Sequence, residues 1–173
     1  FNWTTSLNMS TLKNEVTALA PGVTEIIGTT GGLEQTNRTL VGLPIGNIWT
    51  VETRGVDPAT GRRIFVNAAG DEILYSHENA NKWTNRADGS TASAITLATD
   101  GKASGSPLPT FYGGIDNNLT YGNFDASLNL TYSLGFYIYN GSKAGLRDQR
   151  WWNNSVEVYE NAWKTSGQGT NIP

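Results

Sequence analysis

The sequence predicts an all-β chain, and three observations carry that prediction. Residues 124–139 alternate apolar and polar side chains, the pattern of a strand with one apolar and one polar face. Residues 111–121 show the same alternation and are joined to that run by Gly122-Asn123, a two-residue hairpin turn. The chain is 38% hydrophobic, only 16% charged and contains 20 glycines, which is typical of a folded, turn-rich β-protein.

The hairpin turn fixes which residues lie opposite each other. A two-residue turn places Tyr121 opposite Phe124 and Ile115 opposite Leu130, so the apolar side chains of both strands share one face. Asn117 is the one clear misfit on that face. In a soluble sandwich such a face covers a core, whereas in an outer-membrane barrel it meets lipid and the polar face lines a wet lumen. The alternation alone leaves both environments open.

The length of the alternating segment favours the barrel. Strands of soluble proteins average about 5–6 residues, far fewer than the run of residues 124–139. From Phe124 to Phe136, a rise of ~3.3 Å per residue and a tilt near ~45° give a depth of about 28 Å, close to the ~25 Å apolar band of such barrels. Aromatic residues mark both limits of this band. They are Tyr121, Phe124, Tyr132, Phe136, Tyr137 and Tyr139.

The rest of the chain divides into a further long strand and two long connections. Residues 1–11 alternate in the same way, so we predict long spanning strands at about 1–11, 111–121 and 124–139. The segments of about 12–110 and 140–173 are predicted loops, the first of which holds short strands near Asn47–Thr53 and Glu72–Tyr75. One minimal turn and long loops on the other side resemble the short periplasmic and long extracellular connections of outer-membrane barrels.

Several classes of function are disfavoured by composition. A net charge of −3 gives no reason to expect a nucleic-acid partner. The chain has no cysteine and one histidine, His77, and no acid, base and nucleophile converge in the sequence. Asp57, Asp71 and Glu72 lie in turn sequences and are better explained as turn formers than as calcium ligands. We therefore predict no catalytic residues, no metal site, no cofactor and no enzymatic activity.

Aromatic residues outside the long strands are the candidate ligand-binding residues. Indole and phenol rings stack on sugar faces and on peptide side chains. The alternative is that these rings pack beneath the loops and stabilise them. The candidates are Trp49, Tyr75, Trp83, Trp151 and Trp152.

Five short motifs, in the same order along the chain, resemble a known family. They are Asn14-Glu15-Val16, Gly42-Leu43-Pro44-Ile45-Gly46, Pro107–Gly114, Tyr121–Leu128 and Ile138-Tyr139-Asn140. Together they resemble the late barrel region of SusC/RagA-type TonB-dependent outer-membrane transporters.

The resemblance implies a fold and a function for the parent protein. The fold would be a large antiparallel transmembrane β-barrel with long extracellular loops, residues 1–173 forming part of that barrel domain without its plug domain or its final strands. The function would be nutrient uptake across the bacterial outer membrane of a Bacteroidetes-type cell, importing oligosaccharides (glycans) or peptides. TonB would act through an N-terminal region absent from this chain, a SusD-like surface lipoprotein would cap the mouth, and membrane lipid would surround the wall. The alternative is a soluble secreted β-sandwich that binds carbohydrate.

Overall fold

The structure is a computed structural model that describes residues 1–30 and 34–173. Residues 31–33, which fall within the predicted loop of 12–110, lie outside the described residues. Eleven strands and three short helices are assigned in the two described ranges. In chain order they are β1 (Asn2–Thr11), β2 (Ile26–Thr29), β3 (Gln35–Thr39), β4 (Asn47–Val51), β5 (Thr53–Val56), β6 (Arg63–Val66), β7 (Glu72–Tyr75), β8 (Trp83–Asn85), α1 (Leu97–Asp100), β9 (Gly101–Gly105), β10 (Phe111–Tyr121), β11 (Phe124–Leu134), α2 (Gly141–Arg147) and α3 (Val156–Asn161). Strand β10 pairs antiparallel with β1 and β11, β3 with β2 and β4, and β5 to β8 each with the next, so the predicted all-β fold class is confirmed.

The residues cluster into two compact units. Unit 1 comprises Phe1–Ile48 and Ser104–Tyr139, and unit 2 comprises Trp49–Ala103 and Asn140–Pro173. The strands form three sheets, with orders β1-β10-β11, β2-β3-β4-β9 and β5-β6-β7-β8. The chain passes between the units within β4, within β9 and again from Tyr139 to Asn140. The first sheet lies in unit 1 and the third in unit 2.

The first sheet has the register that the hairpin turn predicts. Tyr121 lies opposite Phe124 and Ile115 opposite Leu130, because only Gly122 and Asn123 separate the two strands. Gly122 has φ +61°, the left-handed conformation that such a turn requires. β1 then pairs along the other edge of β10 over its whole length, with Asn2 opposite Thr120.

The third long strand is shorter than the alternation suggests. β11 ends at Leu134 and not at Tyr139. Gly135 has φ +76°, which turns the backbone out of the extended conformation, and a Cβ there would lie 2.1 Å from the Thr110 hydroxyl oxygen. Beyond this bend the chain runs beside the segment that leads into β10, where the Tyr137 amide donates to the Ser106 carbonyl at 2.8 Å. The apolar and polar residues of 136–139 therefore alternate without forming part of the sheet.

The predicted loops contain regular structure. The predicted segment Asn47–Thr53 forms β4 and the start of β5, and Glu72–Tyr75 forms β7. In unit 2 the strands β5–β8 build a small core around Ile73, which is 1% exposed. The other buried apolar side chains of these strands are Val56, Ile64, Val66 and Leu74.

None of the helices among the described residues reaches the length and apolar character that crossing a membrane as a helix requires.

Candidate functional site

One face of the β1–β10–β11 sheet, which we call the apolar face, carries the apolar side chains of all three strands. Residues directly opposite in antiparallel strands project from the same side, so Leu7, Ile115 and Leu130 form one row across the sheet. Most side chains of β1 and β11 on this face are open to the surroundings, with Leu7 67% and Phe124 80% exposed, whereas Ile115 in the central strand is partly covered. The apolar face comprises Trp3, Thr5, Leu7, Met9, Thr11, Phe111, Gly113, Ile115, Asn117, Leu119, Tyr121, Phe124, Ala126, Leu128, Leu130, Tyr132 and Leu134.

The apolar face is the feature of the sheet that needs contact with another apolar surface or medium. A soluble sandwich would cover it with a second sheet, yet Leu128 and Leu134 are 55% and 56% exposed. Monomeric soluble proteins rarely expose contiguous apolar patches of more than a few hundred Å². The geometry therefore fits contact with an apolar environment outside the chain.

The misfit at Asn117 has a local explanation. Thr5 lies directly opposite Asn117 in the β1–β10 ladder. The Thr5 hydroxyl donates to the Asn117 side-chain oxygen at 2.7 Å. The Thr5 and Asn117 side chains are thus paired with each other, which reduces the free-energy cost of placing polar groups on an apolar face.

Tyr132 illustrates how a second polar group is accommodated on the apolar face. Its ring lies over Gly113, the residue opposite, and its hydroxyl donates to the Asn8 carbonyl at 3.1 Å. The ring also packs against Phe111 with centroids 5.5 Å apart. A Cβ on residue 113 would lie 2.5 Å from the Tyr132 hydroxyl, so glycine is needed there for close approach of the ring.

The opposite face of the same sheet, the polar face, carries a ladder of side-chain hydrogen bonds between β10 and β11. Thr120 donates to Asp125 at 2.7 Å, Ser127 donates to Asn118 at 2.8 Å, and the Asn129 amide donates to Asp116. All of the residues in these pairs except the partly covered Asp116 are exposed. The polar face can therefore offer hydroxyl, amide and carboxylate groups to water or to a polar ligand.

Two of the motifs that suggested the family meet in space at the end of β1. The Val16 amide donates to the Leu43 carbonyl and the Gly42 amide donates to the Val16 carbonyl, both at 2.9 Å. The Asn14 side chain accepts from the Ile45 amide at 2.9 Å. The motif Gly42–Gly46 is thus held against Asn14–Val16, which gives a physical reason for the two to occur together.

The five predicted ligand-binding aromatics, all in unit 2, do not form one site. Trp49 is partly covered, and its indole nitrogen donates to the Leu97 carbonyl at 3.3 Å. Its ring lies so close to Gly101 that a Cβ there would be 2.4 Å from the indole nitrogen. Trp49 therefore packs against its own unit.

Tyr75 and Trp83 are brought together, and Phe65 joins them. Strands β7 and β8 pair Tyr75 with Trp83, whose ring centroids are 4.8 Å apart. Trp83 meets Phe65 edge-on at 5.7 Å. All three are half-buried, so the cluster stabilises the sheet and retains partly open ring surfaces. Phe65 is not among the predicted binding residues, because its position beside Trp83 depends on the pairing of β6 with β7 and of β7 with β8.

Trp151 and Trp152 are the accessible pair. They lie between α2 and α3 and are 61% and 93% exposed. The neighbouring Asp148 carboxylate accepts three hydrogen bonds from the Arg150 guanidinium, at 2.6, 2.8 and 3.1 Å. These bonds lower the pKa of Asp148 to about 2. A charged, hydrogen-bonding pair beside two open indole rings can hold a ligand that has both apolar and polar groups.

An ion-pair network on β5–β8 was not predicted from sequence. The Arg86 guanidinium donates to Glu72 at 2.6 Å and to Asp57 at 3.2 Å, and Arg54 donates to Glu72 at 3.1 Å. Hydrogen bonds from Arg86 and then Arg54 lower the pKa of Glu72. Burial by itself raises the pKa of Asp57, but hydrogen bonds from Thr60 and Arg86 outweigh it, so the pKa is lowered.

The carboxylates of this network have structural partners. Thr60 donates to Asp57 at 2.6 Å and its amide to the Asp57 carbonyl at 3.3 Å, which agrees with the turn role predicted for Asp57. Asp71 likewise bonds the Asn67 side chain within the turn between β6 and β7. Across residues 1–30 and 34–173, no three His, Cys, Asp or Glu side chains are grouped so as to hold a metal ion.

The comparisons with known proteins agree with the geometry of the long sheet. No protein-family model matches the chain. The TonB-dependent receptor P3 of Formosa agariphila is 29% identical to it over an alignment of 197 residues that covers 100% of this chain and 17% of the receptor. The solved RagAB peptide transporter superposes on 99% of this chain with a TM-score of 0.67 and 19% identity, and the match covers 17% of that chain.

The chain thus spans about a sixth of the length of the relatives that it matches. The likeness to the RagAB structure shows the fold, and the curated relative supplies the sequence similarity. Both extend over essentially the whole chain, so neither depends on one motif. The resemblance to the barrel region of SusC/RagA-type TonB-dependent transporters, predicted from the motifs, is confirmed.

Proposed function

We propose that this chain is part of an outer-membrane active transporter that imports oligosaccharides or peptides. Residues 1–173 belong, in this proposal, to one transmembrane β-barrel domain, to which both compact units contribute. The observation that carries it is the apolar face of β1, β10 and β11, exposed across three strands and backed by a polar, hydrogen-bonding face. Supporting it are the similarity to a TonB-dependent receptor and the fold shared with the RagAB peptide transporter.

The dimensions of the sheet fit a bilayer. From Phe124 to Leu134, the limits of β11, a rise of ~3.3 Å per residue at a tilt near ~45° gives about 23 Å of depth, close to the ~25 Å apolar band of such barrels. Tyr121 and Phe124 lie at the turn end of the apolar face, and Phe111 and Tyr132 near the other. In this proposal the apolar face meets lipid, the polar face lines the lumen, and the Gly122-Asn123 turn lies in the periplasm.

The remaining parts of the proposal concern the whole transporter. Energy comes from the inner membrane through TonB, which acts on a region outside this chain, and a SusD-like surface lipoprotein caps the extracellular mouth. The segments of 12–110 and 140–173 face outward, toward the lipoprotein or the substrate. Among the five candidate aromatics, Trp151 and Trp152 are the best placed to contact a ligand, because their rings are open. Trp49, Tyr75 and Trp83 contribute mainly to packing. We propose no catalytic activity.

The proposal is tested on the full-length protein in its native cell. Fractionation should recover it in the outer membrane, and uptake of its oligosaccharide or peptide substrate should stop when the gene for TonB is deleted. Substituting both Trp151 and Trp152 by Ala should lower uptake several-fold without changing the amount of folded protein. As the matched control, Val156→Ala, another exposed residue of the same region, should leave uptake unchanged. A native protein that purifies from the soluble fraction with this hairpin folded would overturn the proposal and favour a secreted carbohydrate-binding module.

A further inference from the structure

The turn between β5 and β6 closes on the Asp57 carbonyl. That oxygen accepts from the Thr60 amide at 3.3 Å and from the Gly61 amide at 2.8 Å. The Asp57 side chain is buried and accepts further hydrogen bonds from Thr60 and Arg86. The turn is therefore firmly held on the β5–β8 sheet, and its Pro58 carbonyl is left to accept hydrogen bonds from outside the turn.

Trp163, which lies 105 positions after Pro58 in the sequence, binds this turn. Its indole nitrogen donates to the Pro58 carbonyl at 2.9 Å, and the Gly167 amide donates to the same oxygen at 2.9 Å. The ring lies so close to Gly61 that a Cβ there would overlap the ring carbons. Gly61 has φ +73°, a conformation that glycine adopts readily. One side chain thus packs on the turn and also donates a hydrogen bond to it.

The contact between Trp163 and the turn also holds α3, which ends two residues before Trp163. The Ala162 amide donates to the Val158 carbonyl at 2.9 Å, and the Trp163 amide donates to the Ile172 carbonyl at 2.9 Å. The side chains of Val158 and Ile172 are buried. Fastening Trp163 to the turn therefore fastens α3 as well.

Helix α3 in turn holds the connection from α2, which carries the two open tryptophans. The Ser155 amide, at the start of α3, donates to the Leu146 carbonyl at 3.0 Å. The Glu157 carboxylate accepts two hydrogen bonds from the Arg147 guanidinium, one of them at 3.2 Å. The two ends of the connection are thus joined to each other, and its position follows that of α3.

We propose that Trp163 is a positioning residue for the candidate ligand site: it fastens α3 to the Asp57–Gly61 turn and so holds Trp151 and Trp152 in place for a ligand. The inference rests on the proposed role of these two rings in ligand binding. A segment that is already held in one conformation loses less conformational entropy when a ligand binds. Trp163 itself is half-buried beside the turn, so it acts through the position of the two open rings.

Hydrogen exchange of the full-length protein in mild detergent, followed by mass spectrometry, tests the inference without a ligand. Trp163→Ala should speed exchange in peptides from residues 141–161 about tenfold to hundredfold, because this segment opens locally once the ring and its hydrogen bond are lost. Peptides from residues 63–75, which hold the buried core of the β5–β8 sheet, should exchange at the wild-type rate. Trp163→Phe, which keeps a ring beside Gly61, should give a smaller increase. Tyr159→Ala, which removes an exposed ring from the same helix, should leave both regions unchanged.

A substitution in the turn tests the same contact from its other side. Gly61→Ala places a Cβ against the Trp163 ring and should speed exchange of residues 141–161 as Trp163→Ala does. Gly70→Ala is the matched control, because Gly70 also has a positive φ, +94°, in a turn of the same sheet. No described atom lies within 4 Å of the Cβ position of Gly70, so this variant should leave residues 141–161 unchanged.

Three results would overturn the inference. Unchanged exchange of residues 141–161 in Trp163→Ala would mean that other contacts hold α3. Equal acceleration of residues 63–75 and 141–161 would make Trp163 an ordinary core residue of unit 2. Equal effects of Gly61→Ala and Gly70→Ala would assign the change to backbone strain.

The proposed function stands or falls by a different measurement. None of the three exchange results bears on membrane location or uptake. Unchanged uptake after Trp151 and Trp152 are both replaced by Ala would overturn the ligand site, and with it the role of Trp163 there, even where exchange shows that α3 is fastened to the turn.

Discussion

The sheets β1-β10-β11 and β5-β6-β7-β8 place their apolar residues in opposite environments. In the second, strands of 3–4 residues bury their apolar side chains in a local core, where Ile73 is 1% and Ile64 4% exposed. In the first, strands of 10–11 residues leave theirs open, with Leu7 67% exposed. The apolar side chains of the short sheet are buried within unit 2, whereas those of the long sheet need an apolar environment outside the chain.

Charge distribution separates the same two sheets. The short sheet carries Arg54 and Glu72 in its ion-pair network, and their partner Arg86 directly follows β8. The long sheet has no Lys or Arg in β1, β10 or β11, and its two carboxylates, Asp116 and Asp125, lie on the polar face. A face meant for water tolerates charge and a face meant for lipid does not. Length and charge together, rather than alternation, distinguish the two environments.

The largest expected effect comes from opening the core of the short sheet. Ile73→Ala should lower the free energy of unfolding of unit 2 by about 2–5 kcal/mol, because it leaves a cavity among side chains that cannot fully collapse. The measurement is the urea dependence of protease cleavage within residues 49–103 of the full-length protein. Val156→Ala, 69% exposed, should change the same quantity by less than about 0.5 kcal/mol. Equal effects would mean that unit 2 has no core of its own.

A charge placed on the apolar face should destabilise the folded protein nearly as strongly. Leu130→Arg places a guanidinium near mid-depth and should destabilise the folded protein in a bilayer by about 2–4 kcal/mol. Thr131→Arg, its neighbour on the polar face, should cost little because its side chain meets water. Urea titration of the full-length protein refolded into vesicles measures both. The distinction between the faces fails if Thr131→Arg is as damaging as Leu130→Arg.

Close packing of Tyr132 on the long sheet gives a smaller effect. In Gly113→Ala the new Cβ would lie 2.2 Å from the Asn8 carbonyl oxygen and 2.5 Å from the Tyr132 hydroxyl. Displacing the strand and the ring should cost about 1–3 kcal/mol in the same vesicle titration. Gly145→Ala in α2 is the control, since nothing lies within 4 Å of its Cβ position. An unchanged Gly113→Ala protein would contradict the packing described for Tyr132.

The smallest effect concerns acid stability of the short sheet. Because the pKa values of Glu72 and Asp57 are lowered in the folded state, their ion pairs stabilise unit 2 above the unfolded pKa values. That contribution disappears as the pH falls through the folded pKa values, which lie below the ordinary values of these carboxyl groups. Arg86→Met should therefore reduce stability at pH 7 by less than about 1 kcal/mol, since solvent screens these pairs.

The wild type and Arg86→Met should converge in stability as the pH is lowered, as seen by the same protease assay from pH 7 to pH 3. A difference that stays constant over this range would show that Arg86 acts through packing of its aliphatic stem rather than through charge.

Sequence patterns sufficed for the long hairpin because its register depends on a single turn. The pairing of Tyr121 with Phe124 follows from Gly122-Asn123, and every later pair follows from it. The end of β11 was not predictable, since Gly135 suits an extended strand as well as a left-handed bend. The pairing of Thr5 with Asn117 depends on which strand adjoins β10, and the partners are far apart in the sequence. The alternation identifies Asn117 as a misfit but does not supply its partner.

The five candidate binding residues were predicted because their side chains are aromatic. Only the structure shows which of these side chains are covered and which are open. Trp49 and Trp152 are both tryptophans in predicted loops, yet Trp49 lies against Gly101 while Trp152 is 93% exposed. Nothing local to either residue reveals this difference, because the covering group of Trp49 comes from a segment about fifty residues away. Their roles in ligand binding stay predictions.

The central claim is that the apolar face of β1, β10 and β11 meets lipid, and site-directed spin labelling tests it most directly. Residues 1–173 contain no cysteine. Single cysteines are placed in turn at positions 124–134 of a full-length protein in which any cysteine outside these residues has been replaced by serine, and the labelled proteins are measured in native outer membranes. Accessibility to oxygen should peak at even positions such as Leu128 and Leu130, and accessibility to a water-soluble nickel complex should peak at Asn129 and Thr131. Equal access to the nickel complex at both sets of positions would contradict the account.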